Sequence, residues 1–223
     1  MSRNVMQRQI ILAFFVTGAV FACDSARAEP NGYKFSERIH ADLPEFTFTL
    51  IPAQSAEDSP TTITTIAVAA DGKEIQTIAD FSATPLIDVE KNVLEGFVVE
   101  DLNFDGYKDL RLIEFLPAGP NVPYLVWFYD AGQNRFIATN LFADIPSPEV
   151  DVLNRQIVSR WRNGAAEHGV SYYKYENSRL ILVRETSQTH VDESRFRLVV
   201  RELQNGVMVE VKNELVDIGP LDD

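Results

Sequence analysis

A nine-residue stretch, residues 101–109, is the part of this 223-residue chain best suited to chemistry. Four of its side chains carry carboxylate or amide oxygens at alternating or nearby positions: Asp101, Asn103, Asp105 and Asp109. Gly106 follows the third of them and can take the sharp turn that folds such oxygens around one point. Ca²⁺ prefers about six to eight oxygen ligands in flexible geometry, so the spacing predicts a calcium-binding loop. The backbone carbonyl of Tyr107 is the expected further ligand.

The loop differs from an EF-hand in two respects. An EF-hand needs a bidentate Glu at the twelfth position, which is Leu112 here, and its flanks are helical. Residues 96–100 and 110–115 instead alternate as strands do. This strand–loop–strand form resembles the calcium loops of integrin-type (FG-GAP) propeller repeats, which implies a metal that braces a β fold. The alternative is an acidic β-turn stabilised by local Asp and Asn hydrogen bonds.

Strand signals dominate the rest of the chain. Short alternating runs flank the turn sequences Asp71-Gly72, 131–134, Asn177-Ser178 and Asn205-Gly206, and Asp-Gly favours a tight type I′ hairpin turn. No long stretch shows helical periodicity with caps. We therefore predict an all-β fold of antiparallel hairpins. Two similar aromatic hairpin units favour a small propeller-like arrangement, and a β-sandwich or barrel is the alternative.

The N-terminus reads as a secretion signal. A basic start precedes an apolar run, and Ala26-Arg27-Ala28 supplies small residues for cleavage after Ala28. We predict a signal peptide at 1–28, an N-terminal arm at 29–45 and a single β domain at 46–223. The alternative is acylation of Cys23, the one cysteine, which would make the protein a lipoprotein. Periplasmic or secreted localisation follows in either case, and no Asn-x-Ser/Thr sequon is present, which favours a bacterial envelope.

The chain is strongly acidic. Its 33 acidic and 20 basic residues give a net charge of −13, and removal of the signal takes away three basic residues and one acidic residue, leaving −15. Such a surface repels nucleic acid and anionic lipid, so neither is an expected partner. It suits cations or a basic protein, and plain solubility is the alternative explanation.

Catalytic motifs are absent from the sequence. His40, His168 and His190 stand in unrelated contexts, and no metalloprotease, serine-hydrolase or phosphate-loop signature occurs. We therefore predict a protein that is not an enzyme, with an unrecognised hydrolase as the less favoured reading.

Residues 159–169 are the best candidate for contact with a partner. This predicted long turn contains Arg160, Trp161, Arg162 and His168, and Trp and Arg are enriched among residues that anchor interfaces. The alternative is a hairpin whose Trp161 belongs to the core. Residues 121–124 form a second, weaker candidate.

Together, the export signal, the calcium loop, the Trp127-Phe128-Tyr129-Asp130 hairpin and the turn at 160–169 resemble a family of bacterial envelope proteins. The best-known members of this family resemble propellers with one calcium loop and act as periplasmic immunity proteins that inhibit lysozyme-like peptidoglycan hydrolases. The resemblance implies a periplasmic calcium-stabilised binding protein, with a basic peptidoglycan hydrolase or another envelope protein as partner. A calcium-stabilised module that binds glycan or serves a structural purpose is the alternative.

Overall fold

The computed structural model describes residues 26–29, 32–53, 61–88 and 93–217. Throughout these residues the chain forms strands and turns and no helix, and the paired strands are antiparallel. The prediction of an all-β fold made of antiparallel hairpins is therefore confirmed. The described strands form three open sheets, and none of these sheets closes into a barrel.

Sheet A is built from the first seven strands: β1 Ala26–Glu29, β2 Gly32–Glu37, β3 Phe46–Pro52, β4 Ile63–Ala70, β5 Lys73–Ile78, β6 Leu86–Asp88 and β7 Val93–Glu95. Their order across the sheet is β5-β4-β3-β2-β1-β7-β6. In β3 the side chains of Phe46, Phe48 and Leu50 are buried and the threonines between them are less so. This period of two is the pattern expected of a strand with one face on a core.

The N-terminal predictions fall partly outside the described residues. Most of the predicted signal peptide, including Cys23, lies outside them, and the predicted cleavage point after Ala28 falls within β1. The predicted arm at 29–45 contains β2, which pairs with β3 from Tyr33 to Glu37. That segment is thus part of sheet A.

Sheet B contains four strands: β8 Phe97–Glu100, β9 Asp109–Ile113, β10 Tyr124–Asp130 and β11 Arg135–Thr139. They follow one another as a meander in the order β11-β10-β9-β8. Every residue of β9 is buried, which is typical of a strand covered on both faces. β9 therefore lies in the interior, and the predicted metal loop connects it to β8.

Sheet C contains the last six strands: β12 Pro148–Asp151, β13 Gln156–Asn163, β14 Glu167–Glu176, β15 Arg179–Asp192, β16 Arg195–Gln204 and β17 Val207–Asp217. They lie side by side in sequence order. A four-residue turn at 152–155 connects β12 to β13.

The hairpin turns follow the turn chemistry of the sequence. Asp71 and Gly72, Asn177 and Ser178, and the pair 205–206 all have positive φ, between 50° and 82°. Positive φ at both central residues is what a type I′ turn requires, and Asn, Asp and Gly tolerate it best. The predicted hairpins at these three positions are confirmed.

Two apolar clusters hold the sheets together. The first joins sheets A and B through residues such as Phe46, Phe48, Leu110 and Leu112. The second joins sheet B to sheet C and contains Leu102, Val126, Phe142, Ile145 and Ile157. Leu102 comes from the predicted metal loop, so that loop is part of the packing between two sheets.

Candidate functional site

The predicted metal loop connects two neighbouring strands. β8 ends at Glu100 and β9 begins at Asp109, and these two residues face each other in the sheet. The predicted strand–loop–strand form is therefore confirmed. Leu112 lies fully buried within β9, and its side chain has no oxygen that could replace the last ligand of an EF-hand.

The loop is folded by hydrogen bonds from its own backbone. Asp101 accepts from the backbone N–H of Asp105 through Oδ1 at 3.1 Å and from that of Gly106 through Oδ2 at 2.9 Å. Asn103 Oδ1 accepts from the N–H of Asp105 at 2.9 Å, and Asp105 Oδ1 accepts from that of Tyr107 at 2.9 Å. Gly106 has a φ of 97°, a left-handed conformation that glycine adopts at little cost. The side chains of Asp101, Asn103 and Asp105 thus face the backbone of their own loop, an arrangement that also fits the alternative of an acidic turn held by local Asp and Asn hydrogen bonds.

Asp109 joins the loop to the next strand. Its side chain is 0 % exposed. Its Oδ2 accepts from the backbone N–H of Leu102 at 2.9 Å, and its Oδ1 accepts from that of Tyr129 in β10 at 2.9 Å. Burial is the main cause that raises the pKa of Asp109 to about 7. The two hydrogen bonds lower this pKa, and the carboxylates of Asp105 and Asp101 raise it further. Burial is also the main cause that raises the pKa of Asp101.

The loop offers oxygen ligands only, which suits a hard cation such as Ca²⁺. Each carboxylate oxygen has two lone pairs, so the hydrogen bonds to the backbone leave a second lone pair for a metal. Among the described residues, however, no three His, Cys, Asp or Glu side chains converge as a preformed metal cluster. The amide oxygen of Asn103 and backbone oxygen must therefore complete any coordination sphere. The carbonyl of Tyr107 stays a predicted ligand.

A segment after β2 packs against the second half of the loop. The ring of His40 stacks on the ring of Tyr107 with centroids 4.3 Å apart. Lys108 donates its backbone N–H to the carbonyl of Ile39 at 2.9 Å and its Nζ lies 2.7 Å from Glu37 Oε1. The loop is thereby tied to sheet A, and His40 has a packing role there.

The predicted long turn at 159–169 is shorter in the structure. Residues up to Asn163 belong to β13 and those from Glu167 belong to β14, which leaves a three-residue turn at 164–166. Gly164 has a φ of 73°, and such a residue lets a short turn reverse the chain. The prediction of a long loop here was wrong.

The four residues predicted to bind a partner do not form one patch. Arg162 is paired with His168 across β13 and β14, while Trp161 is paired with Gly169. Because successive residues of a strand point to opposite faces, Arg160, Arg162 and His168 share one face and Trp161 lies on the other. The half-buried Trp161 donates from Nε1 to Ser171 Oγ at 2.9 Å, which fits the alternative of a packed residue.

The three polar residues of that face have partners within the protein. Arg160 forms an ion pair with Glu149. Arg162 donates from Nε to the carbonyl of Gly164 at 2.9 Å, and His168 Nε2 lies 3.1 Å from Gln188 Oε1. Their role in partner binding stays a prediction.

The second candidate loop lies beside the first. The Asn121 side chain accepts from the backbone N–H of Arg162 and donates to its carbonyl, both at 2.8 Å. Residues 121–124 and the end of β13 therefore form one continuous surface, a proximity that the sequence does not reveal.

Sequence reasoning missed two features near the metal loop. An open cleft of about 580 Å³ is lined by Asp105, Phe128, Asp130 and Tyr175 among others. The turn between β12 and β13 contacts the loop through Arg155, which donates from Nη2 to the carbonyl of Phe104 at 2.6 Å. Both features bring together residues that are far apart in the chain, so no local sequence pattern predicts them.

Comparison with known proteins finds a similar fold and no family. No family model matches the chain, and no curated protein matches it significantly. The solved structure of a Xanthomonas type IV secretion system related protein is similar to this chain, with a TM-score of 0.59 and 21% identity. The match covers 85% of this chain and 99% of that one. At this identity the likeness concerns the fold. Among the described residues no helix is long and apolar enough to cross a membrane.

Proposed function

We propose that this chain is an exported binding protein of the bacterial envelope, braced by Ca²⁺ at residues 101–109, that inhibits a basic peptidoglycan hydrolase as an immunity protein does. The observation that carries the proposal is the loop itself, in which Asp101 and the buried Asp109 are held at the junction of the sheets with Asp105 near them. The raised pKa values of Asp101 and Asp109 express the cost of keeping these groups charged there. A divalent cation would remove that cost.

Asp101, Asn103, Asp105 and Asp109 would hold the metal, with the carbonyl of Tyr107. The metal would supply positive charge that draws the loop together. The protein's own residues do the bracing, since Asp109 links the loop to β10 and Leu102 fills the second apolar cluster. In this proposal the metal has a structural role, and the protein is not an enzyme.

The proposed partner is a basic lysozyme-like hydrolase. The net charge, −13 for the whole chain and −15 after removal of residues 1–28, would steer a positively charged protein toward this chain and would repel nucleic acid. The similar fold of the Xanthomonas type IV secretion system related protein is in keeping with an envelope protein. The proposed periplasmic location follows from the signal peptide predicted at 1–28. Measurement of the intact mass of the protein purified from the envelope would distinguish cleavage after Ala28 from acylation of Cys23.

The metal proposal is tested by thermal unfolding in calcium and in chelator. At a calcium concentration one hundred times Kd, binding stabilises the folded state by about 2.7 kcal/mol, which raises Tm by roughly 5–10 °C for a domain of this size. The double variant Asp101→Ala with Asp105→Ala should lose this rise. Glu45→Ala with Asp144→Ala removes two exposed acids elsewhere and should keep it. Superimposable wild-type melting curves in calcium and chelator would refute calcium binding.

Inhibition is tested by the clearing of a peptidoglycan suspension. Purified basic lysozyme-like hydrolases are assayed alone and with the protein in equimolar amount. Slower clearing by at least one of them, with complex formation by size-exclusion chromatography, is the expected result. Failure to bind any member of the panel would count against the immunity role. Clearing by the protein alone would overturn its assignment as a non-enzyme.

The cleft next to the loop favours a second candidate, a glycan-binding module. Its walls combine the rings of Phe128 and Tyr175 with the polar groups of Asp105 and Asp130. Small-molecule sites are typically concave and apolar with a few polar groups, and the volume here falls in their usual range. Saturable binding of soluble peptidoglycan fragments, lost in Tyr175→Ala, would support this candidate over the first.

A further inference from the structure

The turn between β12 and β13 presents two large apolar side chains to solvent. Val152 is 74% exposed and Leu153 is 96% exposed. Tight turns usually carry Gly, Asn, Asp, Ser or Pro, each for a backbone reason. Val and Leu have no such reason to occupy the tip of a turn, and their exposure costs solubility. A contact with another molecule would explain them.

Hydrogen bonds among residues 151–155 hold the turn in one conformation. Asp151 accepts from the backbone N–H of Asn154 at 3.1 Å and from the Asn154 side-chain amide at 2.7 Å. The backbone N–H of Arg155 points to the carbonyl of Val152 at 3.4 Å. A rigid presentation lowers the entropy lost when the tip is buried in a complex.

The same turn is connected to the proposed calcium loop. The guanidinium of Arg155 donates to the carbonyl of Phe104 at 2.6 Å and lies 5.5 Å from the centre of the Phe104 ring. Phe104 has a φ of 62°, so its carbonyl direction depends on a strained turn within the loop. Whatever orders the loop therefore also orders the turn.

We infer that Val152 and Leu153 are an apolar anchor that inserts into a pocket on a basic protein partner. The anchor stands on a strongly acidic chain, and Asp151 lies at its base. The matching surface of the partner would have an apolar pocket with Lys or Arg at its rim. Interfaces usually have apolar residues at the centre and polar residues at the edge. The inference rests on the proposed function, and it assigns the inhibitory contact to this turn.

The test compares Leu153→Asp with a matched control, Val207→Asp. Val207 is also apolar and exposed, at 64%, but it lies on β17 at the opposite edge of sheet C. Both variants add one negative charge, which should favour a basic partner. Kd is measured against a purified basic lysozyme-like hydrolase in calcium. Leu153→Asp should weaken binding at least about tenfold, as loss of an interface anchor does, and Val207→Asp should leave it unchanged. Leu153→Ala, which adds no charge, should weaken binding in the same direction.

The outcomes separate this inference from the function on which it rests. Inhibition by the wild type together with equal binding by Leu153→Asp would overturn the anchor and leave the immunity role standing. Equal losses in both Asp variants would show that position 153 is not specific to the interface and would also overturn the anchor. A wild type that binds none of the hydrolases would remove the proposed function, and the inference with it.

The connection to the loop has its own measurement. Calcium should tighten hydrolase binding by the wild type about fivefold or more, within the usual range of coupling between two sites. Arg155→Ala, which removes the bond to Phe104, should reduce that enhancement. An identical enhancement in both proteins would refute the coupling between turn and loop.

Discussion

Gly169→Ala is the sharpest test of how sheet C positions Trp161. A Cβ atom added to Gly169 would lie 2.4 Å from Cζ2 of Trp161 and 2.7 Å from the backbone carbonyl oxygen of Thr186. Neither neighbour is a flexible side-chain end, so the indole must move. Movement of the indole would break its hydrogen bond to Ser171.

The expected cost follows from these two effects. Overpacking in a tight site costs about 1–3 kcal/mol, and the lost hydrogen bond costs about 1 kcal/mol. We expect a total near 3 kcal/mol, which lowers Tm by roughly 6–12 °C in a domain of this length. The measurement is thermal or urea unfolding in chelator, where calcium does not contribute.

Two comparisons make the result decisive. Gly119→Ala is a matched control, because a Cβ there meets nothing within 4 Å, and its free energy of unfolding should change by less than about 0.5 kcal/mol. In a Trp161→Ala background, Gly169→Ala should cost at most half as much, since residues in contact are coupled. A Gly169→Ala protein that melts with the wild type, or equal costs in both backgrounds, would refute the packing argument.

Two further predictions concern the links between sheets. Gln76 of β5 donates to the carbonyl of Phe136 at 2.7 Å and accepts from its N–H at 2.8 Å, so Gln76→Ala should reduce the free energy of unfolding by about 2 kcal/mol in urea. Arg111 lies 2.6 Å from Glu100 Oε1 and donates to the carbonyl of Pro148. Arg111→Met should cost about 3–5 kcal/mol by leaving a buried carboxylate unpaired, and adding Glu100→Gln should restore much of the loss.

Local features of this protein could be predicted well from the sequence. Asp71-Gly72 specifies its turn because both residues need positive φ, and alternation in β3 follows from one buried face. The hydrogen bonds that join residues within the loop at 101–109 are also local, since they span at most seven residues. The turn at 164–166 was predicted too long because the turn signal of Asn163-Gly164 was extended over neighbouring residues that belong to β13 and β14.

Features that depend on distant contacts could not be predicted. Asp109 looks like an ordinary last ligand in the sequence, and its bond to the N–H of Tyr129 becomes visible only when β9 and β10 pair. The position of Arg155 against Phe104 depends likewise on how sheet C packs on sheet B. The division of the strands into three sheets depends on the strand pairing, which turn signals alone do not fix.

The position of the loop explains why a metal there would matter to the whole fold. Lys108 ties it to Glu37 of sheet A, Asp109 ties it to Tyr129 of sheet B, and Phe104 accepts from Arg155 of sheet C. A change in loop conformation therefore disturbs contacts with all three sheets at once. If the carboxylates lack a cation, their repulsion acts at this junction. Removal of calcium should therefore reduce the cooperative stability of the fold.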